Sequence, residues 1–154
     1  MVYRHRLDAV LDDLATRRPP PTRREMVSQL EIPHLMKQSE GDSIAARSAQ
    51  RRLESAFVHL AFYAPRRFDR AGDHPRAALS LQLATEIKPD HWRAWYALAT
   101  AQAGAGRKSK AVAALQRAID AGYSDLSHIE NDRDLDPIRG EEGYRRIVEA
   151  LRTR

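Results

Sequence analysis

The sequence has no cysteine among its 154 residues, which removes several classes of function. Disulfide bridges, thiolate metal sites and a cysteine nucleophile are all excluded. A long apolar run is also missing, since the most apolar stretch, Phe57 to Ala64, is short and contains His59. A membrane-spanning helix needs about 18 consecutive apolar residues. We therefore expect no membrane segment.

The first residues, MVYRHRLDAVLDDL, also lack the apolar centre of a secretory leader. Such a leader has an uncharged core of about 7–15 apolar residues, whereas this stretch is charged throughout. We predict a cytoplasmic chain, an inference that holds only if the sequence is not the trimmed end of a longer protein.

Aromatic residues are few, at 6% of the sequence, whereas 31% of the residues are charged. The formal net charge is +5, and 22 of the 26 basic side chains are arginine. Arginine makes planar, paired contacts with carboxylate and phosphate groups, so an acidic partner would suit this surface. Nucleic-acid binding usually adds stacking aromatic residues, and these are too sparse here. We therefore do not expect nucleic acid as the partner and keep it only as a third hypothesis.

No catalytic or metal-binding pattern is present. No two of the six histidines lie three or four residues apart, and the HExxH and GxSxG patterns are absent. In the glycine turn at 104–109, Arg107 separates the glycine from the lysine of a phosphate loop. The alternating Asp132, Asp134 and Asp136 lack the glycine and glutamate of a calcium loop. We expect no catalytic residue, no metal and no cofactor.

Apolar residues recur at helical spacing along the chain, which predicts an all-α fold. One helix covers about residues 3–17 and stops at the proline run 19–21. Thr22 and Glu25 fit a capping box that begins a second helix. The break at 41–43 suggests two parts: an N-terminal helical extension, residues 1–40, and a helical domain, residues 41–154. The first helix of that domain runs to about Tyr63, and Pro65 should end or bend it.

The chain then repeats itself with a period of 34 residues. Four positions recur at that offset: Gly72 as Gly106, Ala77 as Ala111, Leu81 as Leu115, and Ala84 as Ala118. Small alanines let two helices approach closely, and each leucine fills the space between neighbouring hairpins. A helix, a turn and a second helix in 34 residues is the tetratricopeptide signature.

The segment AWYALATAQAGAGRKSKAVAALQRAI, Ala94 to Ile119, resembles a tetratricopeptide repeat, although Gln102 and Tyr123 depart from the usual aromatic and proline. The segment NDRDLDPIRGEEGYRRIVEAL resembles the closing part of bacterial proteins of this kind. The resemblance implies an antiparallel stack of helical hairpins, a right-handed α-solenoid of about seven helices. A C-terminal capping helix would cover its end through Tyr144, Ile147, Val148 and Leu151.

Such a stack implies a curved inner face built from the first helix of each hairpin. We predict that the partner-binding positions on this face are His59, Phe62, Arg66, Arg70, Arg93, Tyr96 and Thr100. A short concave groove with arginine at both ends would hold a peptide or a partner protein with acidic and apolar side chains. In the alternative, Phe62 and Tyr96 fill the core.

Together these features predict a non-catalytic protein–protein interaction or scaffolding module. The carboxylate clamp of chaperone adaptors is not reproduced, because Tyr96, Ala97, Thr100 and Gly104 occupy its positions. The segment RRLESAFVHLAFYAPRRF also resembles modules at the C-terminal end of larger bacterial proteins, some of them hydrolases. The alternative is therefore an accessory domain of a hydrolase whose active site lies outside this chain. The sequence names neither the partner nor the oligomeric state.

Overall fold

The computed structural model describes residues 2–153, and every regular element in that range is helical. The prediction of an all-α fold is confirmed. The described residues contain ten α-helices instead of about seven. The count is higher because the structure divides the chain into several short helices, of six or seven residues each, that the apolar pattern alone did not separate.

Three helices form the N-terminal segment: α1 (Val2–Thr16), α2 (Arg23–Gln29) and α3 (Ile32–Gln38). The predicted capping box begins α2. The Glu25 N–H donates to the Thr22 hydroxyl over 3.2 Å, and the Thr22 N–H donates to the Glu25 carboxylate over 2.6 Å. Arg17 donates to both oxygens of the same carboxylate, over 2.9 and 3.0 Å. These contacts hold the start of α2 beside the end of α1.

A continuous helical path follows, made of α4 (Ile44–Val58), a π-turn (His59–Tyr63) and α5 (Ala64–Arg70). Ser43 caps its start, since its hydroxyl accepts from the Ala46 N–H over 3.0 Å. Pro65 was predicted to end or bend this helix; α4 ends at Val58, before the proline, and α5 contains the proline near its start. Proline has no N–H to donate, and the preceding Ala64 N–H reaches back five residues to the His59 carbonyl. The π-turn therefore carries one extra residue per turn and keeps the path helical through the proline.

The repeat consists of α6 (His74–Ile87), α7 (Trp92–Gly104) and α8 (Lys108–Asp120). Helices α5 and α6 form one hairpin, α7 and α8 form the next, and α7 packs against α6. Gly72 and Gly106 close the first helix of each hairpin in the left-handed conformation, with φ of +69° and +73°. The paired alanines and leucines are fully buried, namely Ala77, Leu81, Ala84, Ala111, Leu115 and Ala118. The 34-residue period thus corresponds to two adjacent, equivalent hairpins.

The C-terminal part contains α9 (Leu126–Asn131), a 3-10 segment (Arg133–Ile138) and α10 (Glu142–Arg152). Helix α10 packs on α8 and α9 and buries three of the four predicted residues, Tyr144, Ile147 and Val148. Leu151 is half-buried. The approach to α8 is close, because a Cβ added at Gly143 would lie 2.6 Å from Cγ1 of Val112.

The N-terminal segment shares its core with the repeat. Leu7, Val10 and Leu14 of α1 belong to one cluster of buried residues that also contains Leu81 and Leu115. Arg76, on α6, binds the end of α1: its Nε donates to the Leu14 carbonyl over 2.8 Å and its Nη2 to the Arg17 carbonyl over 3.0 Å. The division of the chain between residues 40 and 41 stays a prediction.

Candidate functional site

A cavity of about 330 Å³ lies on the side of the stack built by the first helices of the hairpins. Helices α5 and α7 and the 3-10 segment contribute to its wall, together with the start of α6. We call it the inter-repeat cavity and define it by its lining residues Asp69, His74, Thr100, Ala101, Gly104, Arg133, Asp134 and Pro137. Thr100 is the one residue of the predicted inner face among them.

The floor of the inter-repeat cavity is a contact between His74 and α7. A Cβ added at Gly104 would lie 2.7 Å from Cγ of His74, so only glycine lets the imidazole lie this close to the helix. Nδ1 of His74 is 3.5 Å from Oδ1 of Asp69. Burial raises the pKa of Asp69 above its ordinary value; His74 opposes this shift and Asp134 adds to it. The wall therefore carries acidic and basic groups side by side, which suits hydrogen bonding to a polar ligand.

Three exposed arginines lie on α5 and α7, two of the helices that contribute to the wall of this cavity. Arg66 and Arg70 lie on α5, one turn before and one residue after Asp69, and both are exposed. Arg93 is exposed at the start of α7, with its Cζ 4.8 Å from the centre of the Trp92 ring. Within residues 2–153, none of these three arginines forms an ion pair. Their charges are therefore available to an acidic partner.

Tyr96 was expected to project into the groove, but the structure buries it, with 8% of its surface exposed. Its hydroxyl donates to Oδ2 of Asp132 over 2.6 Å, and its ring lies 4.9 Å from that of Tyr123 and 5.2 Å from that of His128. Burial, followed by the bond to Asp132, raises the pKa of Tyr96 well above its ordinary value. The C-terminal segment thus covers Tyr96 and makes it part of the contact between α7 and the next unit.

His59 and Phe62 also lie away from the inter-repeat cavity. His59 faces α1, and Phe62 is half-buried with its ring edge-on to Phe57 at 5.9 Å and to His91 at 6.1 Å. The reason is the π-turn, because one extra residue rotates the faces before it by about 100° relative to those after it. Regular α-helical spacing therefore assigns residues before Ala64 to the wrong face of the helical path. Of the seven predicted residues, Thr100 lines the cavity and the three arginines lie on helices that contribute to its wall; their role in binding stays a prediction.

Three residues of the cavity wall were not among the predicted site residues: His74, Arg133 and Asp134. His74 begins the second helix of its hairpin, which the repeat pattern assigns to the outer layer. Arg133 and Asp134 come from the weakly matching unit, where the alternating aspartates were interpreted as a polar turn. That interpretation holds for Asp132, whose side chain accepts from the Asp134 N–H over 3.0 Å. Only the 34-residue period could have predicted that the segment after residue 126 lines the groove, and the period is no longer recognisable in that segment.

Between residues 2 and 153, no three His, Asp or Glu side chains converge in a way that could hold a metal ion. None of the helices described for the chain is both long and apolar enough to cross a membrane.

Comparison with known proteins identifies the repeat. Residues 70–130 match the family model described as tetratricopeptide repeat. Searches of curated proteins and of solved structures gave no significant match. The matched range contains α6, whose alanines and leucine recur 34 residues later in α8, together with α7 and most of α9. Residues 70–130 are therefore similar to a tetratricopeptide repeat in both sequence and helical arrangement.

Proposed function

We propose that this protein is a non-catalytic interaction module whose repeat holds a peptide segment of a partner protein across the inter-repeat cavity. Tetratricopeptide repeats are protein-interaction modules, and the match to this family supports binding as the activity of the chain. The observation that carries the finer proposal is the set of exposed arginines without ion pairs, Arg66, Arg70 and Arg93, on two helices that contribute to the wall of a cavity of about 330 Å³.

The spacing of these groups indicates the size of the bound segment. Arg93 and Thr100 are seven residues apart on α7, which corresponds to roughly 10 Å along a helix. An extended peptide of about three residues spans that length. The short segment would place acidic side chains at the arginines and polar groups over Asp69 and His74.

The edge of the Trp92 ring, whose faces lie against Arg93 and Tyr123, is the apolar surface that we propose for the partner next to Arg93. The ring of Trp92 is half-buried under the Arg93 guanidinium, and Phe62 approaches His91, the residue just before Trp92. Acidic residues beside one apolar residue are therefore the chemistry that we propose for the partner. Arginine favours carboxylates through paired hydrogen bonds, which gives the acidic positions their specificity.

Selection from a random peptide library on the immobilised full chain tests this proposal. We expect enrichment of short peptides that combine Asp or Glu with an apolar residue. Their affinity, measured by fluorescence anisotropy, should fall at least tenfold in the triple variant Arg66→Glu, Arg70→Glu, Arg93→Glu. Reversed charges repel the acidic peptide while leaving the buried core untouched.

The matched control changes three other exposed arginines that form no ion pair within residues 2–153, as Arg24→Glu, Arg107→Glu, Arg145→Glu. This variant has the same net charge and should bind the selected peptides within about twofold of the original chain. Equal loss in both variants would show non-specific charge attraction and reject the groove. Failure to enrich any peptide would also reject the proposal.

A further inference from the structure

A second cavity, of about 360 Å³, lies between α1 and α4, outside the repeat. We call it the N-terminal cavity. Its lining residues are Tyr3, Arg4, Leu7 and Asp8 from α1, and Ser48, Arg51, Arg52, Ser55 and His59 from α4 and the π-turn. The proposed peptide groove makes no use of it. Its volume falls in the range of pockets that hold small molecules, roughly 300–1,000 Å³.

The wall of the N-terminal cavity is strongly basic. Arg4, Arg51 and Arg52 face a single acid in the wall, Asp8, so the lining has a surplus of two positive charges with His59 neutral. Across residues 2–153 these three arginines form no ion pair. The neighbouring acid Glu31 is bound to Arg6 instead, at 2.6 Å.

Neutral hydrogen-bond donors accompany the arginines. Among residues 2–153 the buried Tyr3 hydroxyl oxygen has no hydrogen-bond partner, and the Arg52 guanidinium lies 5.8 Å from the centre of the Tyr3 ring. Burial raises the pKa of Tyr3 to about 12, so this hydroxyl keeps its proton at neutral pH. The hydroxyls of Ser48 and Ser55 line the same cavity.

One ring nitrogen of His59 forms a hydrogen bond within the protein, and the other is available to a ligand. Its Nδ1 lies 2.8 Å from the Ser55 carbonyl oxygen, which can only accept, so Nδ1 carries a proton and donates. The other nitrogen, Nε2, has no hydrogen bond among the described residues. The histidine that sequence spacing assigned to the peptide groove is therefore part of the wall of this separate cavity.

From the charge surplus and the donors we propose that the N-terminal cavity binds the phosphate group of a small soluble ligand. A phosphate dianion would balance the two surplus charges. Its oxygens accept several hydrogen bonds at once, which matches three guanidinium groups and the hydroxyl donors. Leu7 and the Tyr3 ring supply the apolar surface for the remainder of the ligand.

Isothermal titration of the full chain with inorganic phosphate and with pyrophosphate, at fixed ionic strength, tests this site. We expect saturable binding of one anion per chain. The double variant Arg4→Gln, Arg51→Gln should raise the dissociation constant at least tenfold. Arg52→Gln alone should raise it severalfold, because it removes one of the three guanidinium groups of the wall. If the double variant does not fold, Arg52→Gln alone decides the test.

Three controls separate this site from simple charge attraction and from the peptide groove. The variant Arg24→Gln, Arg107→Gln makes the same change of charge at exposed positions outside the cavity and should bind phosphate like the original chain. The Arg66, Arg70 and Arg93 charge-reversal variant should also bind it normally. Equal loss in the Arg24 and Arg107 control, equal affinity for the dicarboxylate malonate, or no saturable binding of either phosphate probe would overturn the proposal.

Discussion

At the scale of single residues, Glu25 joins α1 to α2. Its carboxylate accepts one hydrogen bond from the Thr22 N–H and two from the Arg17 guanidinium. These contacts lower the pKa of Glu25 from 4.5 to about 2. A carboxyl with a depressed folded-state pKa stabilises the fold above its unfolded-state value and loses that contribution as the pH falls. The stabilising effect of Glu25 should therefore disappear between about pH 4.5 and pH 2.

The variant Glu25→Gln should flatten the pH dependence of stability in that interval. Glutamine keeps the hydrogen bond of the capping box but carries no titrating group. The measurement is the free energy of unfolding from urea denaturation at several pH values between 2 and 6, where the slope of the variant should be smaller. Glu40→Gln, at an exposed position with no hydrogen bond among the described residues, should keep the original slope. Identical slopes for Glu25→Gln and the original chain would contradict the assignment.

Contacts at this scale could be predicted from the sequence when the two partners are near neighbours. Thr22 and Glu25 are three residues apart, as are Ser43 and Ala46, so residue type and spacing are enough to predict the caps. The Tyr96–Asp132 bond joins residues 36 apart, and no local rule reports it. For this reason the cap of α2 was predicted correctly whereas the exposure of Tyr96 was not.

At the scale of elements, the contact between α8 and α10 depends on one missing side chain. A Cβ at Gly143 would lie 2.6 Å from Cγ1 of Val112, closer than such atoms approach in real structures. Gly143→Ala should therefore destabilise the protein by about 1 kcal/mol, since overpacking costs roughly 1–3 kcal/mol and better helix propensity returns up to about 1 kcal/mol. Urea denaturation measures the change.

A double-mutant cycle with Val112→Ala isolates the clash. Removing the two valine methyl groups makes room for the new methyl group, so the double variant should be more stable than the sum of the two single changes predicts. The coupling should be about 1 kcal/mol and favourable. Additive effects would show that α8 and α10 do not meet at this pair.

The helical path through Pro65 also belongs to this scale. Proline predicts the end or a kink of a regular α-helix, because it lacks an N–H and its ring collides with the preceding turn. A π-turn removes that conflict, but its formation depends on the packing of both faces, Leu60 and Ala61 before the proline and Phe68 after it. Packing between distant elements is not encoded in the local pattern, and the regular spacing gave the wrong face for His59.

At the scale of the whole molecule, the 34-residue offset predicted the stack because it repeats a complete packing unit. The alanines and leucines at that offset are the residues that bury one hairpin against the next. The offset gives no information about the N-terminal segment, because that segment does not share the 34-residue period. Its side chains nevertheless pack into the same core as the repeat. The extent of the folding unit therefore could not be predicted from the period alone.

A shared core predicts one cooperative unfolding unit. In native-state hydrogen exchange, the slowest amides of α1 and of α7 should open with free energies equal to within about 1 kcal/mol. The reason is that Leu7 and Leu14 cannot leave the core without exposing the buried face of the repeat, and Arg76 also binds the end of α1. The prediction would be contradicted if the amides of α1–α3 exchanged with a lower free energy of opening while those of α6–α8 stayed protected. That result would favour a domain boundary between residues 40 and 41.

The π-turn has a consequence for how this chain can change in length. In the path from Ile44 to Arg70, α4 packs against α3 and α6, and α5 packs against α6. Deleting one residue between His59 and Tyr63 would leave a smooth, unbroken helix, yet it would twist one half away from its neighbour by about a quarter of a revolution. A shorter and more regular helix would thus be the less stable one, because a single surplus residue keeps both halves in phase with what they pack against.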